Sequence, residues 1–361
     1  MSVPELEKRL GIEVYASTAL GIGGKIRQLP EDFTVEEVLT DGSRAQISSS
    51  KSVSVSGGGR YLLCVLVKRN WDTFLAVKAV AKQLGLSPER IRTAGIKDAK
   101  AVTAQHFSVY GVAPQQVSSV RIRDITVYPL RFSSEKVHSN ILLGNRFGIQ
   151  VRAIAHSSSV IEKRLRKVQS QLQSLGGLPN FFGHQRFGTV RPITHTVGKC
   201  LVRGELEEAA LCFLAQHSEH EHPESREARK RLWRTQDFRE ALRYFPRKLQ
   251  HERTMLAHLA KRPGDFAGAF RRLPIKLRQL FVQAYQSYLF NRFLSQRMRR
   301  GVSLSEAQAG DYVVKVDSDG LPAKDFTQVA SSSTKDVKRA LSRGEVRLAL
   351  PVVGFKQPAS E

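Results

Sequence analysis

Cysteine is scarce in this chain of 361 residues: there are three, Cys64, Cys200 and Cys212, far apart and with no Cys-x-x-Cys pair. An odd number of widely spaced thiols argues against a disulfide framework and a thiolate zinc site. It predicts buried, reduced thiols and a reducing, cytoplasmic compartment. Long apolar runs are missing too. None approaches the ~18 residues that a membrane-spanning helix needs. The N-terminal stretch MSVPELEKRLGIEVY carries acidic residues and no apolar segment, so it does not read as a secretory signal.

Acidic residues are the other shortage. Against 57 Lys and Arg stand 33 Asp and Glu, a formal net charge of +24. Such an excess repels itself unless a polyanion neutralises it, which makes nucleic acid the first partner to test. A membrane surface comes second, with only the charge in its favour. At 41% hydrophobic and 25% charged residues the chain is otherwise ordinary for a folded protein and excludes global disorder. Its length suits about two domains, each with its own core.

Nucleotide-binding loops are also absent. Residues 21–26 read GIGGKI, but a P-loop would need glycine where Ala19 stands and a hydroxyl where Ile26 stands. No G-x-G-x-x-G joins a strand to a helix, so ATP, GTP and NAD chemistry are disfavoured. His217, His220 and His222 bring three imidazoles together, yet Pro223 follows, the neighbours are charged and no fourth ligand is evident. A solvated loop is the better reading, and no metal is expected.

Several elements are legible. Phe33, Val35 and Glu37 alternate after Pro30, as in a strand, and YLLCVLV (61–67) has the length of a strand buried on both faces. Residues 41–60 are rich in Ser and Gly and read as a long hairpin loop. A helix capped by Asp72 or Thr73 is predicted, with Phe74, Val77, Ala81 and Leu84 on its apolar face and Gly85 at its end. Ser87-Pro88-Glu89 resembles a further helix start. HFSVYGV (106–112) alternates as a strand, and 160–175 form a helix with Ile161, Leu165, Val168 and Leu172 on one face. Residues 199–300 look mostly helical, with a long amphipathic helix around Phe281 to Phe293. Dense basic runs lie at Arg226 to Arg234, Arg239 to Lys248, Arg271 to Arg278 and Arg297 to Arg300. Composition shifts near residue 188, dividing a mixed α/β part, 1–188, from a helix-rich basic part, 189–361.

Two loops concentrate chemistry. Ala94 to Gln105, AGIKDAKAVTAQ, sets Lys97, Asp98, Thr103 and Gln105 among small residues between two apolar elements. A carboxylate flanked by lysines can act as nucleophile or base, although a Lys-Asp pair in a loop is more often a surface turn. Asn180 to Gly188, NFFGHQRFG, combines three aromatics with amides and an arginine. Aromatic faces stack bases and amides read their edges; a packed aromatic turn fits the composition equally well.

IGGKIRQLPEDFTVEE, AGIKDAKAVTAQ, NFFGHQRFG and AYQSYLFN occur in this order, and together they resemble the TruD family of RNA pseudouridine synthases, its archaeal and eukaryotic branch most closely. The resemblance runs from about Ile22 to Asn291. It implies a mixed α/β (α+β) fold: a pseudouridine synthase domain around a largely antiparallel sheet, here 1–188, with a helix-rich TruD-type insertion, here 189–361. It implies that Asp98, in the G-x-K-D loop, attacks a uridine of tRNA, uridine 13 being the family's usual target, with other RNAs as further substrates. No metal or nucleotide cofactor takes part. Arg27, three positions before the proline of P-E-D-F, matches the family's basic residue, and its planar fork suits a bidentate pair with Asp98. Phe182 matches the aromatic that stacks on the base, and Asn180 the asparagine of that turn. Phe33, Lys97, Gln105, Gln185 and Arg186 match residues that line or support the pocket.

Family members continue beyond LPVVGFKQPASE, where this sequence stops, into a segment that returns to the catalytic domain. That segment is not found here, and the core around Asp98 is expected to be weaker for it. The competing reading is an RNA-binding protein without catalysis. It explains the charge but neither the Asp98 loop nor Arg27.

Overall fold

A computed structural model describes residues 2–48, 55–317 and 321–354. Part of the expected 41–60 loop and the last residues lie outside that range. The chain packs as two units, Gly21–Lys163 and Met1–Leu20 together with Arg164–Glu361. Residues 164–188 therefore pack with the second unit, and the compositional boundary near residue 188 falls inside it.

The first unit is built on a six-stranded mixed sheet. Strands β1 (Phe33–Leu39), β2 (Tyr61–Arg69), β3 (Ile91–Thr93), β4 (Val102–Tyr110), β5 (Ile125–Ser133) and β6 (Leu142–Ile149) run in the order β5-β2-β4-β1-β6, with β3 also on β4. All pairings are antiparallel except β1 with β4. The apolar run of β2 and its partner β4 each bury seven consecutive residues, which makes them the central strands. β1 and β3 share one edge of β4: β1 pairs with residues 102–104 and β3 with residues 107–109. That edge is thus covered by the first residues of β1 and by the three-residue β3.

Helix α1 (Thr73–Gln83) is capped by Asp72, whose Oδ1 accepts from the amides of Phe74 and Leu75 at 2.8 and 3.1 Å. It buries Ala76, Val80 and Ala81 in the core with Leu66, Ile91 and Phe107. The expected face is rotated at its start. Phe74 and Leu75 are exposed, and Thr73 turns inward because its hydroxyl is bound to the loop before β4. The expected helix at Ser87 is a single 3-10 turn, Pro88–Arg90, since the chain enters β3 at Ile91. β4 begins at Val102, so Thr103 and Gln105 stand in a strand and the loop ends at Ala101. Helix α2 (Ser158–Leu175) follows the expected segment but buries no residue.

The second unit holds α3 (Thr194–Arg203), α4 (Leu206–Ala215), α5 (Pro223–Thr235), α6 (Phe238–Tyr244), α7 (Gln250–Lys261), α8 (Phe266–Arg271) and α9 (Ile275–Arg299). Val197, Leu214, Leu232, Met255, Leu256 and Phe281 centre its core. The basic runs are not wholly solvated. Arg229, inside the first of them, is buried and bonds Glu252 Oε1 at 2.6 Å, Glu221 Oε1 at 2.9 Å and the Leu214 carbonyl at 2.8 Å. Beyond α9 the sequence reading expected only helix-rich structure. The chain instead forms an antiparallel sheet of β7 (Tyr312–Val316), β8 (Pro322–Gln328) and β9 (Val346–Ala349), with α10 (Thr334–Arg343) between the last two. The three cysteines are free and buried, and burial raises the Cys212 thiol to about 12. Among the described residues no helix is long and apolar enough to cross a membrane.

Candidate active site

Parallel pairing of β1 with β4 decides which loops meet. Thr34 lies opposite Val102, so the segments that enter the two strands approach from the same end. One is the P-E-D-F turn, the other the Asp98 loop.

The turn before β1 is tied down by Asp32, which is wholly buried. Its Oδ2 accepts from the Leu29 amide at 2.9 Å and its Oδ1 from Arg152 Nε at 2.6 Å. Upstream, Lys25 and Arg152 exchange backbone hydrogen bonds of 2.8 and 2.9 Å. Gly24 permits this approach: it sits at φ +91°, and a Cβ there would lie 2.8 Å from the Arg152 carbonyl oxygen. Arg27 follows in the left-handed region, at φ +58°, a rare conformation for a residue with a side chain. Its guanidinium carbon stands 3.7 Å from the centre of the Phe33 ring, and Nη2 donates to Asp98 Oδ1 at 3.0 Å. The expected bidentate pair is a single contact, made by a guanidinium that also sits over Phe33. Both side chains remain about a third exposed, at 35% and 32%. The carboxylate is therefore held by a cation and still open to a ligand.

Beneath it the loop is pinned from inside. Lys97 turns its ammonium inward, 2.7 Å from Oε1 of the fully buried Glu37. Oε2 of Glu37 accepts from the His106 amide at 2.7 Å and lies 3.2 Å from His106 Nδ1. Burial pushes the Glu37 carboxyl up, but the bonds from His106 and Lys97 outweigh it and leave the group below its ordinary range. The buried Gln105 donates to the Gly95 carbonyl at 3.1 Å, and the Lys97 amide donates to Thr73 Oγ1 at 3.1 Å. Lys68, fully buried, donates to the carbonyls of Asp98 and Trp71 at 2.7 and 2.8 Å. Lys97 and Gln105 thus brace the loop. The sequence reading missed Asp32, Lys68 and Thr73 as supports, and it gave Glu37 only a place in a strand. Lys68 lies just past the run YLLCVLV, and its one signal is that position.

The second unit carries the other motif residues. Asn180 and Gln185 are exposed. The Phe182 ring is half-buried, packed with Leu10, Phe187, Ala284 and Tyr288, and edge-on to Phe290 at 5.3 Å. Arg186 stands 5.7 Å from its centre and donates from Nε to Ser287 Oγ at 3.0 Å. Asn291 Oδ1 accepts from the Phe182 amide at 2.9 Å, while Nδ2 donates to the Phe182 and Leu10 carbonyls at 3.0 and 2.9 Å. The AYQSYLFN block on α9 is therefore what holds the NFFG turn. In short, Arg27, Phe33, Lys97, Asp98 and Gln105 gather in one unit, and Asn180, Phe182, Gln185 and Arg186 in the other. His217, His220 and His222 are exposed in the segment before α5, and no group of three metal-ligating side chains occurs among the described residues.

Comparison with known proteins bears on this arrangement. The family described as tRNA pseudouridine synthase D (TruD) matches residues 9–361. Among similar curated proteins, the tRNA pseudouridine synthase D of Methanosarcina barkeri is 40% identical over 355 residues, covering 98% of this chain and 78% of that protein. That of Thermococcus onnurineus is 41% identical over 345 residues, covering 94% and 77%. The crystal structure of the Methanosarcina mazei tRNA pseudouridine synthase D superposes with a TM-score of 0.89 at 37% identity, covering all of this chain and 80% of that one. A match over nearly the whole chain, in sequence and in fold, leaves one conclusion: the chain belongs to the tRNA pseudouridine synthase D family, a family of isomerases.

Proposed function

We propose that the protein isomerises uridine to pseudouridine in tRNA, at uridine 13, with Asp98 as nucleophile. One observation carries the reading: a carboxylate one-third exposed, 3.0 Å from a single arginine, on a loop braced by buried bonds from below. The carboxylate attacks the target nucleoside and the N1–C1′ bond breaks. The freed base turns and bonds through C5 to C1′ as the bond to the carboxylate breaks, C5 losing a proton and N1 gaining one. No atom is added or lost, so the reaction needs no redox partner. The base must leave its stack to reach the carboxylate. Catalysis centres on the Asp98 loop in this reading, and the basic helices of 189–361 bind the RNA backbone. A purely RNA-binding role would leave the Arg27–Asp98 pair without use. The test is to map pseudouridine in tRNA transcripts incubated with the purified protein, with Asp98→Asn as control. Modification confined to position 13 and lost in the variant supports the reading. Unmodified tRNA refutes it.

A further inference from the structure

Lys68 is an unusual residue for its position. It is fully buried near the end of the central strand β2, yet its ammonium makes no ion pair among the described residues. Carbonyl oxygens receive it: Asp98 at 2.7 Å, Trp71 at 2.8 Å and Lys97 at 3.5 Å. Three N–H donors meet three acceptors, and two of the acceptors belong to the Lys97-Asp98 dipeptide itself. Bonds from a charged donor are roughly twice as strong as neutral ones, and a buried charge is costly unless its bonds offset the lost hydration. A neutral polar residue could fill the space at lower cost, so the charge calls for a use.

We propose that Lys68 is a positioning residue for the reaction: its buried ammonium fixes the main chain of Asp98, and so the aim of the carboxylate, through charge-assisted bonds to the loop carbonyls. The proposal rests on the reading of Asp98 as nucleophile.

The surroundings give it a pH signature. The charged groups acting on Lys68 are the carboxylates of Asp72, at the cap of α1, and of Asp98, and the ammonium of Lys97. Lys97 is itself matched by Glu37, with His106 of β4 behind it. Strand partners Thr103 of β4 and Ile125 of β5 add no charge, and Arg69 at the strand end is paired with Glu31 and Asp124. Burial dominates and lowers the lysine to about 8, against the pull of the two aspartates. Above that pH the amine has two donors for three acceptors, and neither carries charge. Stability moves the other way. A lysine lowered by folding leaves the unfolded chain binding more protons between about 8 and 10.5, so its contribution to stability rises with pH across that window. Loss of activity and loss of stability are therefore separable.

The test is single-turnover pseudouridine formation on tRNA from pH 7 to about 9.5, for the wild type, Lys68→Arg and Lys68→Met, with tRNA affinity and Tm measured beside it. In the wild type the rate should fall about tenfold as pH passes about 8, while Tm does not fall in step; tenfold corresponds to ~1.4 kcal/mol of positioning. Lys68→Arg keeps its charge throughout and should lack that fall. Lys68→Met should be about tenfold slow at pH 7 with a level profile and tRNA affinity within twofold. A Lys68→Arg profile that keeps the wild-type fall overturns the proposal, as does a Lys68→Met rate equal to wild type. If neither variant folds, the wild-type profile decides, and a level rate overturns it. An Asp98→Asn protein that stays active would instead remove the nucleophile reading. Fully active Lys68 variants beside an inactive Asp98→Asn remove only the role of Lys68.

Discussion

Replacing Arg27 by alanine takes away one charge-assisted hydrogen bond of 3.0 Å and a guanidinium seated on Phe33. A hydrogen bond to a charged group is worth about 1.5–3 kcal/mol. With both side chains a third exposed, solvent screening places this one at the lower end, about 1.5–2 kcal/mol. At 1.36 kcal/mol per decade, that is a loss of roughly ten- to thirtyfold in rate, provided the contact serves the transition state. The fall should appear in kcat, since the contact is to the carboxylate and not to a phosphate. Arg27→Lys should retain part of the rate, because an ammonium can reach Asp98 but cannot lie on the ring as a planar guanidinium does. Single-turnover rates at saturating tRNA, with affinity measured separately, decide the matter. An Arg27→Ala protein with unchanged kcat and raised KM would make Arg27 one more phosphate contact and refute the argument.

Three further outcomes are expected. Asp98→Asn should abolish pseudouridine formation while leaving tRNA affinity within a few fold, because phosphate contacts supply the affinity; a tenth of the wild-type rate would sink the assignment. Binding should weaken by about 10³ or more between 50 and 200 mM salt if six to ten phosphates are neutralised, and a flat titration would point to basic residues engaged internally, as Arg229 is. Phe182→Ala should lose up to about a hundredfold in kcat/KM and Phe182→Tyr little, at ~1–3 kcal/mol for a stacked ring. If the loss in Phe182→Ala tracks a lowered Tm, the ring's contacts with Leu10 and Phe187 explain it without stacking.

Much of the fold could be read from local pattern. The run at 61–67 became a central strand, Asp72 capped its helix, and alternation at Phe33, Val35 and Glu37 marked β1. What local pattern could not carry was pairing. The parallel register of β1 on β4 brings Arg27 to Asp98 over a gap in sequence that no periodicity spans. The same limit hid Thr73, which faces inward because of a partner 24 positions away, and it hid Lys68, whose partners are backbone oxygens and leave no trace in residue type. The small sheet at 312–349 was overlooked because each of its strands carries a charged residue that interrupts the apolar pattern. The motif blocks fared better, since the residues of AYQSYLFN that bond the NFFGHQRFG segment, Ser287 and Asn291, are polar groups in a buried helix face.

The edge of β4 that β1 and β3 share has a seam between residues 104 and 107, and there the acceptor for the His106 amide is the Glu37 carboxylate. One side chain thus stands in for a missing stretch of strand while neutralising the lysine next to Asp98. The two duties couple residues 37, 97 and 106 physically. A change at residue 37 is felt at once in the sheet and in the loop, and a change at 97 strands a carboxylate in the core.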